Sequence, residues 1–178
     1  MGSPTCSARQ YMAARVSTST ASASAASSVA PTAIMPRRFA EIAEGIAPAQ
    51  WKTRAKDGNF SLQEHACHLR DIEMEAYRVR LERMLAEGTP ALTDVDGGKL
   101  ARERDYQRQD LATAQAAFAA VRADMVQRLA NLSPEQCRRT GVMEGVGEIS
   151  VEGLVQMMLA HDAEHLADLE ELRGELVG

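Results

Sequence analysis

The sequence predicts an all-α fold, a bundle of four principal helices. Three observations predict it. Apolar residues make up 45% of the 178-residue chain but aromatic residues only 4%, so Ala, Leu, Met and Val must fill the core, a palette that favours helices over sheets. Apolar residues recur at three- and four-residue spacing in four segments, with no convincing two-residue strand period. Each of those segments also begins at a helix-starting residue, namely Pro36, Ser61, Asp110 or Ser150. A chain of this length is expected to form one domain.

Residues 1–36 are rich in Ser, Ala and Thr, most densely at 17–28. They offer too few large apolar groups to offset the entropy of ordering, and are expected to be a disordered N-terminal extension. Arg, Ser and Ala without acids match a transit peptide in composition; a dispensable tail, or a true start at Met12 or Met35, accounts for it as well. The folded domain is expected over 37–178. Pro36 at N1 opens the first helix, with Phe39, Ile42, Ala43 and Ile46 as its stripe and an end near Ala47 and Pro48. Trp51 follows as an expected core plug.

Ser61-Leu62-Gln63-Glu64 is a capping box, with the Ser61 hydroxyl and the Glu64 carboxylate each serving the other's backbone N–H. The second helix is expected from Leu62 to about Ala86, stopped by Gly88 and Pro90. Leu62, His65, Leu69, Ile72, Ala76, Val79 and Met84 outline its inward face, and Arg70, Arg78, Arg80, Glu82 and Arg83 its solvated exterior. Residues 88–100 read as a turn-rich loop. Asp94-Val95-Asp96-Gly97 resembles the start of a calcium loop, but the Glu of a twelve-residue ligand pattern is missing. Residues 99–109 form a short helix or link.

Asp110 caps the third helix, whose stripe is Leu111, Ala114, Phe118, Val121, Met125 and Leu129, ending near Asn131. Ser133 and Pro134 start one further turn. Thr140–Ile149 holds three glycines without a phosphate-loop pattern, so a loop or small hairpin is expected. Ser150 then caps the fourth helix, Val151 to about Arg173, with Leu154, Met157, Met158, His161, His165, Leu166 and Leu169 facing inward.

The charge pattern excludes some partners. The first 40 residues hold four Arg and no acid, so a net charge of −5 for the chain means −9 on residues 41–178. An acidic body without a basic stripe argues against nucleic acid. No apolar run approaches the roughly 18 residues of a membrane span. Cys6, Cys67 and Cys137 are scattered and form no CxxC pair; a reducing, cytoplasmic setting is expected.

All four histidines fall in two helical clusters. His161 and His165 stand four apart on one helix face, with Cβ atoms about 5–6 Å apart, close enough to grip one metal ion. His65 and His68 lie together on the second helix. Bundle interiors take metals through side chains from facing helices, so one of the two would supply a third ligand; spacing does not choose between them. Packing of the histidines without a metal is the competing reading.

Residues 59–75 (NFSLQEHACHLRDIEME) and 147–170 (GEISVEGLVQMMLAHDAEHLADLE) resemble the two signature helices of the DinB-like (DinB/YfiT) superfamily. The matching positions are Phe60-Ser61, Glu64, His68-Leu69-Arg70-Asp71, and His161 with His165-Leu166, and the likeness spans residues 37–178. The resemblance implies an up-down-down-up bundle with a long crossover after helix 2. It also implies a divalent ion (Zn, Ni, Fe or Mn) on His68, His161 and His165, and frequent pairing as a homodimer. Some relatives transfer low-molecular-weight thiols and others are hydrolases; this chain ends soon after the fourth helix, without the added C-terminal domain of the mycothiol-dependent isomerases.

A three-histidine site leaves a coordination position open, where a water or a substrate thiolate could be activated. The expectation is therefore a metal-dependent transferase or hydrolase acting on a small molecule. Glu64 is a candidate proton acceptor, although capping explains it as well. Asp71, Asp162 and Glu164 could orient imidazole N–H groups. Cys67 is expected to be a small core filler. The alternative class is a non-enzymatic metal-binding or stress-associated interaction bundle.

Overall fold

A computed structural model describes residues 30–178, and most of the expected N-terminal extension, residues 1–29, lies outside them. After a 3-10 turn at Ala30–Ala33 comes α1 (Ile34–Glu44). The long second helix consists of α2 (Leu62–Ile72), a π-helical turn at Glu73–Tyr77 and α3 (Arg78–Ala86). The crossover carries β1 (Ala91–Leu92) and α4 (Gly97–Glu103). Then follow α5 (Leu111–Ala130), α6 (Pro134–Cys137), the strands β2 (Thr140–Met143) and β3 (Gly147–Ser150), and α7 (Val151–Val177).

Four principal helices therefore form the bundle, α1, α2–α3, α5 and α7, with α2 packed most extensively on α5 and α1 on α7. The expected stripes of α1 and α5 are all buried, from Phe39 to Ile46 and from Leu111 to Leu129. Helix starts are where side-chain chemistry placed them. Ser61, Asp110, Ser133 and Ser150 each accept a backbone N–H three residues on. Pro36 is the exception: α1 starts two residues earlier, at Ile34, and Thr32 and Met35 are buried. Trp51 is only partly buried against the core, with its indole N–H donating to the Ile46 carbonyl at 3.0 Å.

The core has two apolar clusters. One gathers Phe39, Leu62, Leu69, Phe118 and Leu169; the other gathers Leu81, Met84, Met125, Leu129 and Met158. On α5, buried Arg122 falls between Phe118 and Met125, and on α7 buried His161, Asp162 and His165 fall between Met158 and Leu169. A polar layer thus divides the apolar core.

A small sheet caps one side. β2 pairs antiparallel with β3 (Thr140 opposite Ser150) and parallel with β1 (Ala91 opposite Val142). The hairpin turn uses Gly145 at φ 74°, a conformation costly for residues with a Cβ. The hairpin is one of the two forms expected of this segment, a loop or a hairpin; β1, two residues long and paired with a strand some fifty residues later, has no counterpart in the sequence pattern.

The π turn changes which residues of the second helix face inward. One extra residue in the turn rotates everything after it. Tyr77, Arg80, Leu81 and Met84 are buried, whereas Val79 is 40% exposed. The inward assignment of Val79 and the outward assignment of Arg80 are both corrected by this shift. The Arg80 guanidinium instead donates to the Thr93 carbonyl at 2.8 Å and holds the crossover against the helix.

Candidate metal centre

The site is built by two helices with fixed starts. The Ser61–Glu64 capping box sets the first turn of α2, which His65 completes, and His68 follows on the second. The Ser150 cap starts α7, which carries His161 and His165 one turn apart into the core. All four imidazoles are buried.

His161 Nε2 lies 3.2 Å from His68 Nε2 and 3.1 Å from His165 Nε2. The ligand atoms of these three residues all lie within 4.8 Å of one another. Four ligands around Zn²⁺ at 2.0–2.1 Å stand about 3.3 Å apart, close to this spacing. Burial keeps the rings neutral: it pushes His68 down to about 3, with His65 adding to the effect, and His161 and His165 well below the ordinary histidine range. A neutral imidazole offers one N–H and one lone pair. His161 Nε2 faces two other nitrogens and can hydrogen-bond only one of them, whereas a shared cation accepts all three lone pairs. The donor set therefore fits a divalent ion.

Around the three rings the walls are largely apolar. The Phe60 ring lies edge-on 5.6 Å from His65 and tilted 5.3 Å from His68, and Tyr77 lies 5.8 Å from His161 while its hydroxyl donates to the Met157 carbonyl at 3.3 Å. The Gly97 backbone presses on His68. His68 Nδ1 and His161 Nδ1 are buried without a hydrogen-bond partner among the described residues. His65 sits one step behind the three, its Nδ1 3.2 Å from His165 Nδ1.

Three acidic candidates, Glu64, Asp71 and Asp162, are otherwise engaged. The Glu64 carboxylate accepts from the Ser61 N–H at 3.0 Å and from the Arg54 guanidinium. Burial alone would raise this carboxyl, but Arg54 and Ser61 outweigh it and hold it below the usual range. Asp71 accepts from the Tyr106 hydroxyl at 2.7 Å and pairs with Arg70 and Arg104, so it fastens the 104–109 link rather than an imidazole. Asp96 caps α4 by accepting from the Lys99 N–H. Cys67 is fully buried, and burial raises its thiol to about 11, which suits a core filler.

Asp162 is also not an imidazole partner. Both its oxygens accept from Arg122, which binds Glu73 through Nε and Nη2 and the Thr32 carbonyl through Nη1. Burial works against the guanidinium's charge, but the two carboxylates hold it protonated. This buried triplet was missed by the sequence reading, although a signal existed: Arg122 stands four residues after Phe118 and three before Met125, on the apolar stripe itself.

A model of the DinB superfamily matches residues 32–169. The chain belongs to the DinB superfamily. Among its relatives is a Bacillus subtilis (strain 168) protein named "Putative metal-dependent hydrolase YfiT", 24% identical over 139 residues, 78% of each chain. A solved structure of YfiT, described as "a probable metal-dependent hydrolase with an unusual four-helix bundle topology", superposes with a TM-score of 0.80 at 20% identity, covering 91% of this chain and 93% of that one. The family match bears out the expected family, and the structural likeness bears out the four-helix architecture. No helix among the described residues is long and apolar enough to cross a membrane.

Proposed function

We propose that this DinB-superfamily chain is a divalent-metal-dependent hydrolase acting on a small molecule, with the ion held by His68, His161 and His165. The observation that carries the reading is the convergence of three buried Nε2 atoms around one point. The description of the YfiT relative supports hydrolysis over the thiol transfer also expected from sequence. An ion held by three neutral ligands keeps its full charge and can activate a water, or hold a thiolate, at a remaining position.

The chain's own residues supply the rest. α2 and α7 fix the three rings, Phe60 and Tyr77 wall the centre with apolar surface, and Gly97 closes the crossover over His68. Glu64 serves the cap and Arg54; a role in proton transfer would require it to leave Arg54. A cytoplasmic setting and pairing as a homodimer are part of the same proposal.

The test is the metal content of the full chain purified without a histidine tag, beside His68→Ala, His161→Ala and His165→Ala. One divalent ion per chain in the wild type, lost in each variant, supports the site; screens of ester, amide and thiol-transfer substrates then identify the reaction. A wild type that binds no Zn²⁺, Ni²⁺ or Mn²⁺ overturns the proposal. A loaded protein inert in every screen favours the interaction bundle, and sedimentation reads the oligomeric state.

A further inference from the structure

We propose that His65 is a positioning residue for the metal centre: it accepts the Nδ1–H of His165 and so fixes the tautomer that frees His165 Nε2 to bind an ion. The inference rests on the metal reading above. His165 presents its two nitrogens to different neighbours, Nε2 to His161 at 3.1 Å and Nδ1 to His65 at 3.2 Å. One proton lies between the two Nδ1 atoms. If His65 donates it, the proton of neutral His165 is on Nε2 and only two lone pairs converge on the centre. If His165 donates it, all three converge.

Asp168 also lies near His165 Nδ1, but its Oδ2 stands 4.0 Å away, beyond hydrogen-bond range, on a side chain 39% exposed. His65, by contrast, is buried and held. Its backbone N–H donates to the Ser61 carbonyl at 2.9 Å in the capped first turn, and its ring lies edge-to-face with Phe60. The backbone of His65 is thus fixed in the first turn, while its ring meets a residue one hundred positions later. Among the described residues His65 Nε2 has no hydrogen-bond partner, so the His165 side of the contact decides.

The test compares His65→Asn with His65→Leu. The two side chains have the same branching, but only Asn places an acceptor where Nδ1 stands. Zn²⁺ affinity is read by competition with a chelating dye, and site geometry by the visible spectrum of the Co²⁺-loaded protein. His65→Leu is expected to weaken binding by about 10–100-fold, the usual cost of losing an outer partner, and to alter the spectrum; His65→Asn is expected to restore most of both. Equal binding by wild type and His65→Leu, or equal loss in both variants, overturns this inference alone.

Two ions per wild-type chain, with the second lost in His65→Leu and in Asp168→Asn, also overturns it, because His65 would then be a ligand of a second site with Asp168. A wild type that binds no ion overturns the metal reading and this inference with it. Should His65→Leu fail to fold, ¹⁵N-histidine spectra of the Zn²⁺-loaded wild type decide. A proton on His165 Nδ1 is expected, and a proton on its Nε2 sinks the idea.

Discussion

The backbone of Gly97 lies directly on the imidazole of His68: a Cβ added at Gly97 would fall 2.3 Å from His68 Cε1 and 2.7 Å from its Nδ1. A Cβ does not approach ring atoms so closely, so the ring or the crossover must shift. Gly97→Ala is therefore expected to lower divalent-metal affinity by about 10-fold or more, as displaced outer contacts do, with helix content unchanged. Gly88→Ala, which meets open space, is the control. Equal affinity in both variants, measured by dye competition, would show that the crossover does not constrain the site.

Removing Arg122 is expected to be severe. Arg122→Met leaves Glu73 and Asp162 buried without their shared partner, a loss of about 3–5 kcal/mol by analogy with broken buried pairs. Replacing all three together with apolar residues of similar volume should restore much of the loss. Urea unfolding reads both; an Arg122→Met protein as stable as the wild type would contradict the network.

The π turn makes a register test possible. Val79→Lys, on an exposed position, is expected to change stability by no more than about 0.5 kcal/mol. Leu81→Ala, at a position 1% exposed, should cost about 2–5 kcal/mol. Reversed costs in thermal unfolding would restore the uninterrupted helix that the sequence suggested.

Acid should destabilise the metal-free protein. Burial holds His68 at about 3 and the other three histidines well below their ordinary value of 6.5. The unfolded chain takes up those protons near pH 6.5 and the folded chain only far below. Between the two the unfolded state binds more protons, so stability is full above 6.5 and is lost as pH falls, at up to about 1.4 kcal/mol per pH unit for each histidine. Burial raises Glu73, Asp162 and Asp168, which act in the opposite sense. They are fewer and start from ordinary values near 4, about two units lower. The urea midpoint of chelator-treated protein should therefore fall between pH 7.5 and 5.5, and a flat profile would count against four buried neutral rings.

Local patterns carried most of the fold in the sequence. The α5 stripe and the four polar caps depend on neighbours three or four residues away, and each stands where spacing put it. The features that escaped depend on one-residue shifts or distant partners. The Glu73–Tyr77 turn leaves a spacing that an ordinary helix also fits, so Val79 and Arg80 exchanged sides unseen. Arg122 meets carboxylates 49 and 40 residues away. The pairing of His161 with His165 was legible because they share one helix face; spacing left His65 and His68 open, and only the resemblance to the DinB-like family pointed to His68. The place of His65 behind His165 required the tertiary structure.

The buried Glu73–Arg122–Asp162 triplet has a further consequence for how this sequence finds one structure. Ala, Leu and Met pack with little shape discrimination, and the aromatic content of 4% leaves few keys to lock the helices in rotation. Turning the second helix, α5 or α7 about its axis would strand a charge in hydrocarbon, at a cost of several kcal/mol. Competing compact arrangements are thereby raised in energy even if the native one gains little, widening the gap between the correct topology and its near neighbours. The arrangement so selected is the one in which His161, next to Asp162 on α7, faces His68.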